Sequence, residues 1–228
     1  MKKYLVIGNP INHSLSPKLH NFWIKQNRID AIYDKAKLNL DQVENLISQV
    51  KSKRINGINV TVPFKNTIIP YVDQLSTEAE KTKSVNTIYL NNDKVIGHNT
   101  DIDGFEKAIN KINFKVSDKR IFILGAGGVV PSIIYALNKM GAFNIFISNR
   151  TKAKAQMVKD IFNNLSILDW GDVPEFDVII NATSLGLNKD DNIELDFSST
   201  GKNKLFYDVI YNPSETNFLR TGKELGNM

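Results

Sequence analysis

The sequence contains no cysteine, which excludes a disulfide framework, thiolate catalysis and cysteine-ligated metal sites, and frees the fold from any need for an oxidising compartment. No apolar run approaches the ~20 residues that a membrane-spanning helix requires. The opening MKKYLVIGNP sets lysines before an apolar stretch, but Asn9 and Pro10 end it too soon for a secretory leader, and its alternation suits a first strand better. A cytoplasmic protein is expected. Histidine is scarce, and His13, His20 and His98 are too dispersed to suggest a metal site by spacing. The net charge is +5, yet the lysines form no run and no aromatic-interleaved patch, so neither nucleic acid nor a membrane is an expected partner. A positive field favours capture of an anionic cofactor and substrate instead.

What is present is a 228-residue chain, 42% hydrophobic and 23% charged, enough for one large domain or two small ones with their own cores. Strand and helix patterns alternate almost throughout, which predicts an α/β fold with largely parallel sheets. Strands are expected at 4–8, 31–37, 57–62, 86–90 and 94–97, with helices at 16–27, 40–51 and 101–110. Pro17 suits a first helical position and Ser16 a cap. The polar stretch 115–119 marks a domain boundary. Beyond it come strands at 121–124, 144–148, 177–180 and 205–209, helices to Met140 and over 152–163, and a further helix beginning near Glu215. The division expected is a substrate-binding and catalytic α/β domain over 1–114, a dinucleotide-binding domain over 115–210, and, over 211–228, the start of a C-terminal helix returning to the first domain.

The strongest local signal is Gly125-Ala126-Gly127-Gly128, directly after a strand and at the mouth of a helix. Glycines there permit a tight turn and let backbone amides, with Val129, approach a pyrophosphate at a helix N-terminus. Val130 stands at the third fingerprint position, and Pro131 follows it. At the end of the next strand an NAD enzyme usually carries Asp or Glu. This chain reads Ser148-Asn149-Arg150-Thr151, with Lys154 a turn onward. Arg150 offers a planar fork of donors, Thr151 a hydroxyl and Lys154 a point charge, a set suited to the 2′-phosphate of NADP.

In the first half, Ser14-Leu15-Ser16-Pro17 puts two hydroxyls at a helix start, and capping by Ser16 accounts for only one of them. In NVTVPFK, Asn59 and Thr61 alternate onto one face of a strand and Lys65 follows the strand-ending Pro63. Asn86 ends a helix-to-strand passage, and Asn99-Thr100-Asp101 precedes a helix, where Asp101 could serve as a plain cap.

Together these pieces resemble the shikimate dehydrogenase family. The segments that carry the resemblance are PINHSLSP (10–17), NVTVPFK (59–65), SVNT (84–87), GHNTD (97–101), GAGG (125–128), NRT (149–151), NATSLG (181–186) and YNPSET (211–216), in order along essentially the whole chain. The resemblance implies an α/β protein with an N-terminal substrate domain, a C-terminal Rossmann-like NADP domain and a cleft between them. It implies reduction of 3-dehydroshikimate to shikimate with NADPH, on the way to the aromatic amino acids, by a monomer or homodimer that needs no metal. Ser14 and Ser16 would hold the substrate carboxylate, Thr61, Asn86 and Asp101 the ring hydroxyls, with Asn59 beside them and Tyr211 as a further contact. Lys65 would be the catalytic acid/base, paired with Asp101. Gly125 to Val129, Asn149 to Lys154, Thr183 and Val209 would bind the cofactor, and Asn181 to Gly186 would line its nicotinamide side. A free lysine has a pKa near ~10.4, so Lys65 is expected to act mainly as a positioned donor during reduction. Members of the family usually continue with helices that pack back on the first domain and supply a substrate-binding glutamine. Nearby alternatives are a quinate/shikimate dehydrogenase using NAD, an aminoshikimate dehydrogenase, a methylenetetrahydrofolate dehydrogenase, and a non-catalytic dinucleotide-binding regulator. Arg150 argues against NAD, and the serine pair with NVTVPFK argues against a folate substrate.

Overall fold

The computed structural model describes residues 1–188 and 190–228. The chain divides into two compact units, Met1–Ile102 and Asp103–Met228, with the division falling after Ile102, ahead of the polar stretch 115–119.

The first unit is built on a mixed six-stranded sheet, β1 (Lys2–Gly8), β2 (Ala31–Lys37), β3 (Gly57–Val60), β4 (Gln74–Leu75), β5 (Thr87–Asn91) and β6 (Lys94–His98), in the order β2-β1-β3-β5-β6-β4. β1 runs parallel to β2 and β3, while β5 is antiparallel to both β3 and β6. The sheet is therefore mixed: the β1–β2, β1–β3 and β4–β6 pairings are parallel, as expected, and the two pairings made by β5 are not. The cause is the two-residue turn between β5 and β6, where Asn92 and Asp93 both hold positive φ, 47° and 58°, the mirror-image turn that matches strand twist in a hairpin. The helices are α1 (Ser16–Gln26), α2 (Val43–Lys51), α3 (Phe64–Thr67) and α4 (Thr77–Thr82). α2 buries Val43, Leu46, Ile47 and Val50 against Leu5, Ile7, Ile58 and Ile88, the i, i+3, i+4, i+7 stripe that makes a helix pack on a sheet. α1 buries no residue.

α5 (Asp101–Lys111) carries the chain into the second unit. There β7 (Arg120–Leu124), β8 (Asn144–Ser148), β9 (Leu165–Leu168), β10 (Val178–Asn181) and β11 (Leu205–Asp208) form an all-parallel sheet in the order β11-β10-β7-β8-β9. Both faces of its central strands are buried, which is why IFIL and VII read as continuous apolar runs. The helices are α6 (Val130–Lys139), α7 (Lys152–Lys159) and α8 (Asn217–Glu224). α7 ends at Lys159, short of the expected 163, because the chain turns there to begin β9, a four-residue strand too short to stand out in sequence. α8 belongs to this unit and packs on β11: a Cβ on Gly222 would lie 2.6 Å from the ring of Phe206. Its first turn is capped by Thr216, whose hydroxyl accepts from the amide of Leu219.

At the edge of this unit opposite the glycine turn, Asp177 accepts from the backbone amide and guanidinium of Arg120 and from Lys204. Burial pulls its carboxyl upward, but these donors outweigh burial and bring it down to about 2 from 3.8. A carboxylate whose folded pKa lies below its unfolded one stabilises the fold fully above the unfolded value, and that contribution is lost as pH falls through the folded value. Asp177 therefore contributes about 1–2 kcal/mol after solvent screening, present above pH ~4 and fading toward pH ~2. Urea midpoints measured between pH 5 and pH 2.5 should fall more steeply for the parent than for Asp177→Asn. Equal slopes would remove Asp177 as the cause.

Candidate active site

In the first unit the polar side chains gather where strands of both directions present the same end. Gly8 and Val60 close the parallel strands β1 and β3, Thr87 opens the antiparallel β5, and His98 closes β6. The loops leaving this edge carry the residues singled out in the sequence. Lys65 is in the single turn of α3, and its carbonyl accepts from the amide of Val85. Its ammonium donates to Oδ2 of Asp101 at 2.6 Å, with side chains 12% and 22% exposed.

Asp101 opens α5, but its carboxylate does not cap it. The amide of Asp101 donates to Oδ1 of Asn99 at 3.0 Å, so Asn99 takes the local helix-start role and leaves the carboxylate free for Lys65 and Asn86. Asn86 donates from Nδ2 to Oδ1 of Asp101 at 2.8 Å, and its own Oδ1 accepts from the amide of Thr100 at 2.9 Å. The carboxylate is thus held at both oxygens, by an ammonium and by an amide whose orientation a backbone N–H dictates.

Asn59 has both ends of its amide engaged within the protein. Its Oδ1 accepts from the hydroxyl of Tyr33 at 2.7 Å, and its Nδ2 donates to the hydroxyl of Thr87 and the carbonyl of Asn86. Thr61 lies half-buried past β3, and its methyl stands where a side chain on residue 8 would go, 2.7 Å from the Cβ position of Gly8. Gly8 is therefore a steric requirement of this edge. Ser14 and Ser16 are half-buried at the start of α1, with roles opposite to those expected locally. Ser16 is the first helical residue and makes no capping bond, whereas the hydroxyl of Ser14 accepts from the amide of Ser16 at 3.3 Å. With Pro17 at the head of the helix, one orphan amide is already absent.

In the second unit the strand order reverses between β7 and β10, the position at which doubly wound sheets bind nucleotides beyond their strand ends. Gly125 leaves β7 with φ +104°, and a Cβ there would lie 2.8 Å from the carbonyl oxygen of Ala182, just past β10. The gap is one only glycine can leave open, a cradle of the kind a pyrophosphate requires. Asn149 ties this turn to the neighbouring loop: its Oδ1 accepts from the amide of Ala126, and its Nδ2 donates to the carbonyl of Thr151. Val130 is fully buried, and Pro131 sits in the first turn of α6, where a missing N–H costs nothing. The departure from the glycine fingerprint is therefore accommodated. Arg150, Thr151 and Lys154 are exposed at the end of β8, and Thr151 makes no capping bond to α7. Among the described residues the side chains of these three have no hydrogen-bond partner, and they are of the type that holds a 2′-phosphate.

A network absent from the sequence reading lies past β10 and β11. Burial pushes the Asp208 carboxyl up, although it accepts from Ile210, Thr216 and Asn181. Asn181 accepts in turn from the amide and hydroxyl of Thr183, and the amide of Val209 donates to the carbonyl of Asn181. These bonds shape the NATSLG loop. An Asp ending an apolar strand, in FYDV, is the available signal. Tyr211 is 69% exposed. Among the described residues no group of three or more His, Asp or Glu is placed to hold a metal ion, and no helix is long and apolar enough to cross a membrane.

The family model for the shikimate dehydrogenase substrate-binding domain matches residues 6–88, and that for shikimate/quinate 5-dehydrogenase matches residues 106–212. The chain belongs to the shikimate dehydrogenase family. It is 52% identical to a shikimate dehydrogenase (NADP(+)) of Pelagibacter ubique, over all of this chain and 86% of that protein. A shikimate dehydrogenase crystal structure from Aquifex aeolicus superposes with a TM-score of 0.89 at 36% identity, covering all of this chain and 85% of the other. The Thermus thermophilus shikimate 5-dehydrogenase, solved with NADP(H) and shikimate, superposes at 0.88 with 27% identity, covering all of this chain and 87% of that one. The family's fold, a substrate domain and a Rossmann-like domain, is the one described above.

Proposed function

We propose that this chain reduces 3-dehydroshikimate to shikimate with NADPH, reversibly, as a step toward the aromatic amino acids. The observation that carries the reading is the Lys65–Asp101–Asn86 constellation, present in a chain 52% identical throughout to an enzyme of that name.

NADPH supplies the hydride that bonds to the carbonyl carbon. As that bond forms, the carbonyl electron pair moves onto oxygen, where the Lys65 ammonium neutralises the charge and then delivers its Nζ proton to give the hydroxyl. Lys65 regains a proton from solvent. Asp101 keeps the ammonium aimed, at 2.6 Å, and Asn86 keeps Asp101 aimed. General acid assistance of this kind contributes roughly 10²–10⁴ in rate. Ser14 and Ser16 bind the substrate carboxylate, Thr61, Asn86 and Asp101 its ring hydroxyls, and Tyr211 adds a further contact. Asn59, its amide engaged within the protein, supports this set from behind. The turn Gly125, Ala126, Gly127, Gly128 and Val129 takes the pyrophosphate, while Asn149, Arg150, Thr151 and Lys154 take the adenosine 2′-phosphate. Thr183 and Val209, beside Asn181, flank the nicotinamide side.

The test is NADPH formation from shikimate against quinate, with NAD run in parallel. Shikimate with NADP should be the fastest pair, and absence of turnover with every pair would overturn the reading. Arg150→Ala should raise the KM for NADPH roughly 10–100-fold, the value of one or two charge-assisted hydrogen bonds. The KM for NADH should hardly move, and a parallel rise in both would show that Arg150 does not read the phosphate.

A further inference from the structure

We propose that the hydroxyl of Tyr33 is a positioning group for the Lys65–Asp101 pair, acting through Asn59, Thr87 and Asn86. The proposal rests on Lys65 as the proton donor named above.

Tyr33 lies in the middle of β2, the edge strand of the first sheet, and touches neither Lys65 nor Asp101 in any recorded hydrogen bond. It is nonetheless anchored from several sides. On the open edge, Asn21 of α1 takes both backbone groups: its Nδ2 donates to the Tyr33 carbonyl at 2.7 Å and its Oδ1 accepts from the Tyr33 amide at 3.0 Å. The His20 ring stacks on the Tyr33 ring at 4.1 Å with an interplanar angle of 3°. The ring itself is buried with Val6 and Ile11. Burial pushes the hydroxyl pKa up, which keeps it a donor at physiological pH.

From this anchored donor the hydrogen bonds run in one direction without a break. The Tyr33 hydroxyl donates to Oδ1 of Asn59 at 2.7 Å. Nδ2 of Asn59 donates to the Thr87 hydroxyl at 3.1 Å and to the Asn86 carbonyl at 3.4 Å. The Thr87 hydroxyl donates to Oδ1 of Asn86 at 2.9 Å. Nδ2 of Asn86 donates to Asp101 at 2.8 Å, and Lys65 donates to the other oxygen of Asp101. The backbone carbonyl of Asn86 can only accept, so Nδ2 of Asn59 must face it and Oδ1 must face Tyr33. Removing the phenol hydroxyl leaves that oxygen without a donor inside the protein, and the amide can find another only by turning away from Thr87. A tyrosine whose ring merely filled space would have no such consequence for the carboxylate at the far end.

The experiment compares Tyr33→Phe, Thr87→Val and Thr87→Ser with the parent and with Lys65→Ala, in the full chain. It measures kcat and KM for both substrates, the primary deuterium isotope effect with 4-deuterated NADPH, and the melting temperature. Tyr33→Phe keeps the stack and the backbone pairing, and Thr87→Val keeps the shape. Each should lower kcat about 5–30-fold, the loss of one buried bond from the aligned state. Each should also raise the isotope effect and leave the KM for NADPH within about twofold. Thr87→Ser, which retains the hydroxyl, should recover most of kcat. Should Tyr33→Phe fold poorly, the Thr87 pair decides alone. A kcat within about twofold of the parent for Tyr33→Phe or for Thr87→Val, or an equal loss in Thr87→Ser and Thr87→Val, overturns the proposal. If Lys65→Ala retains activity, the proton-donor reading fails instead; an inactive Lys65→Ala beside an unchanged Tyr33→Phe sinks only the relay.

Discussion

Lys65→Ala should reduce 3-dehydroshikimate roughly 10²–10⁴ times more slowly than the parent, with little change in the KM for NADPH. On the mechanism proposed above, the substitution removes the proton donor for the nascent alkoxide while leaving the nucleotide turn untouched. It also leaves Asp101, 22% exposed, with a negative charge where the transition state is developing another. Loss of the donor and gain of a repulsive neighbour act in the same direction. Lys65→Arg separates charge from proton transfer. The guanidinium supplies positive charge but does not release a proton at neutral pH, so it should recover only a small part of the rate. Steady-state kinetics in the direction of reduction provide the measurement. A Lys65→Ala enzyme within about threefold of the parent would show that protonation comes from elsewhere.

Gly125→Ala should be the most damaging single substitution in the second unit. Residue 125 holds φ at +104°, where an L side chain costs roughly 1–2 kcal/mol. The added methyl would in addition lie 2.8 Å from the carbonyl oxygen of Ala182 and 2.9 Å from its carbon. Both are backbone atoms and cannot swing aside as a flexible side chain would, so overpacking adds about 1–3 kcal/mol. The expected loss of about 2–5 kcal/mol corresponds to a fall of roughly 4–20 °C in Tm. Relief by moving the turn away from β10 would spoil the cradle, so NADP affinity should fall at least about tenfold. Gly127→Ala is the internal control: its Cβ would meet nothing nearer than the Ala182 carbonyl at 3.9 Å, and its Tm should stay close to that of the parent. Equal melting temperatures for the two variants would show that the turn is looser than its geometry implies.

Much of this protein is legible along the chain because its signals are local. The burial of strands such as IFIL, the glycine turn between strand and helix, Arg150 in place of an acidic residue, and the order of the motifs are properties of short segments. They decide the fold class, the nucleotide and the family. Boundaries are harder to read: β9 lies just beyond the expected helix 152–163 and is too short to stand out, α3 and α4 are too short to show a period, and Ser16, expected as a cap, is the first helical residue and makes no capping bond. What only the tertiary structure decided is the use to which each polar side chain is put. Asp101 could have capped α5, but it is the first residue of that helix and its two oxygens are taken by Lys65 and Asn86. Asn59 could have faced outward, and does not because Tyr33, distant in sequence, donates to it. Hydrogen bonds are directional and saturable, so the role of a side chain is set by which donors and acceptors remain after its neighbours have taken theirs, and those neighbours are assembled from separate strands only when the sheet has formed.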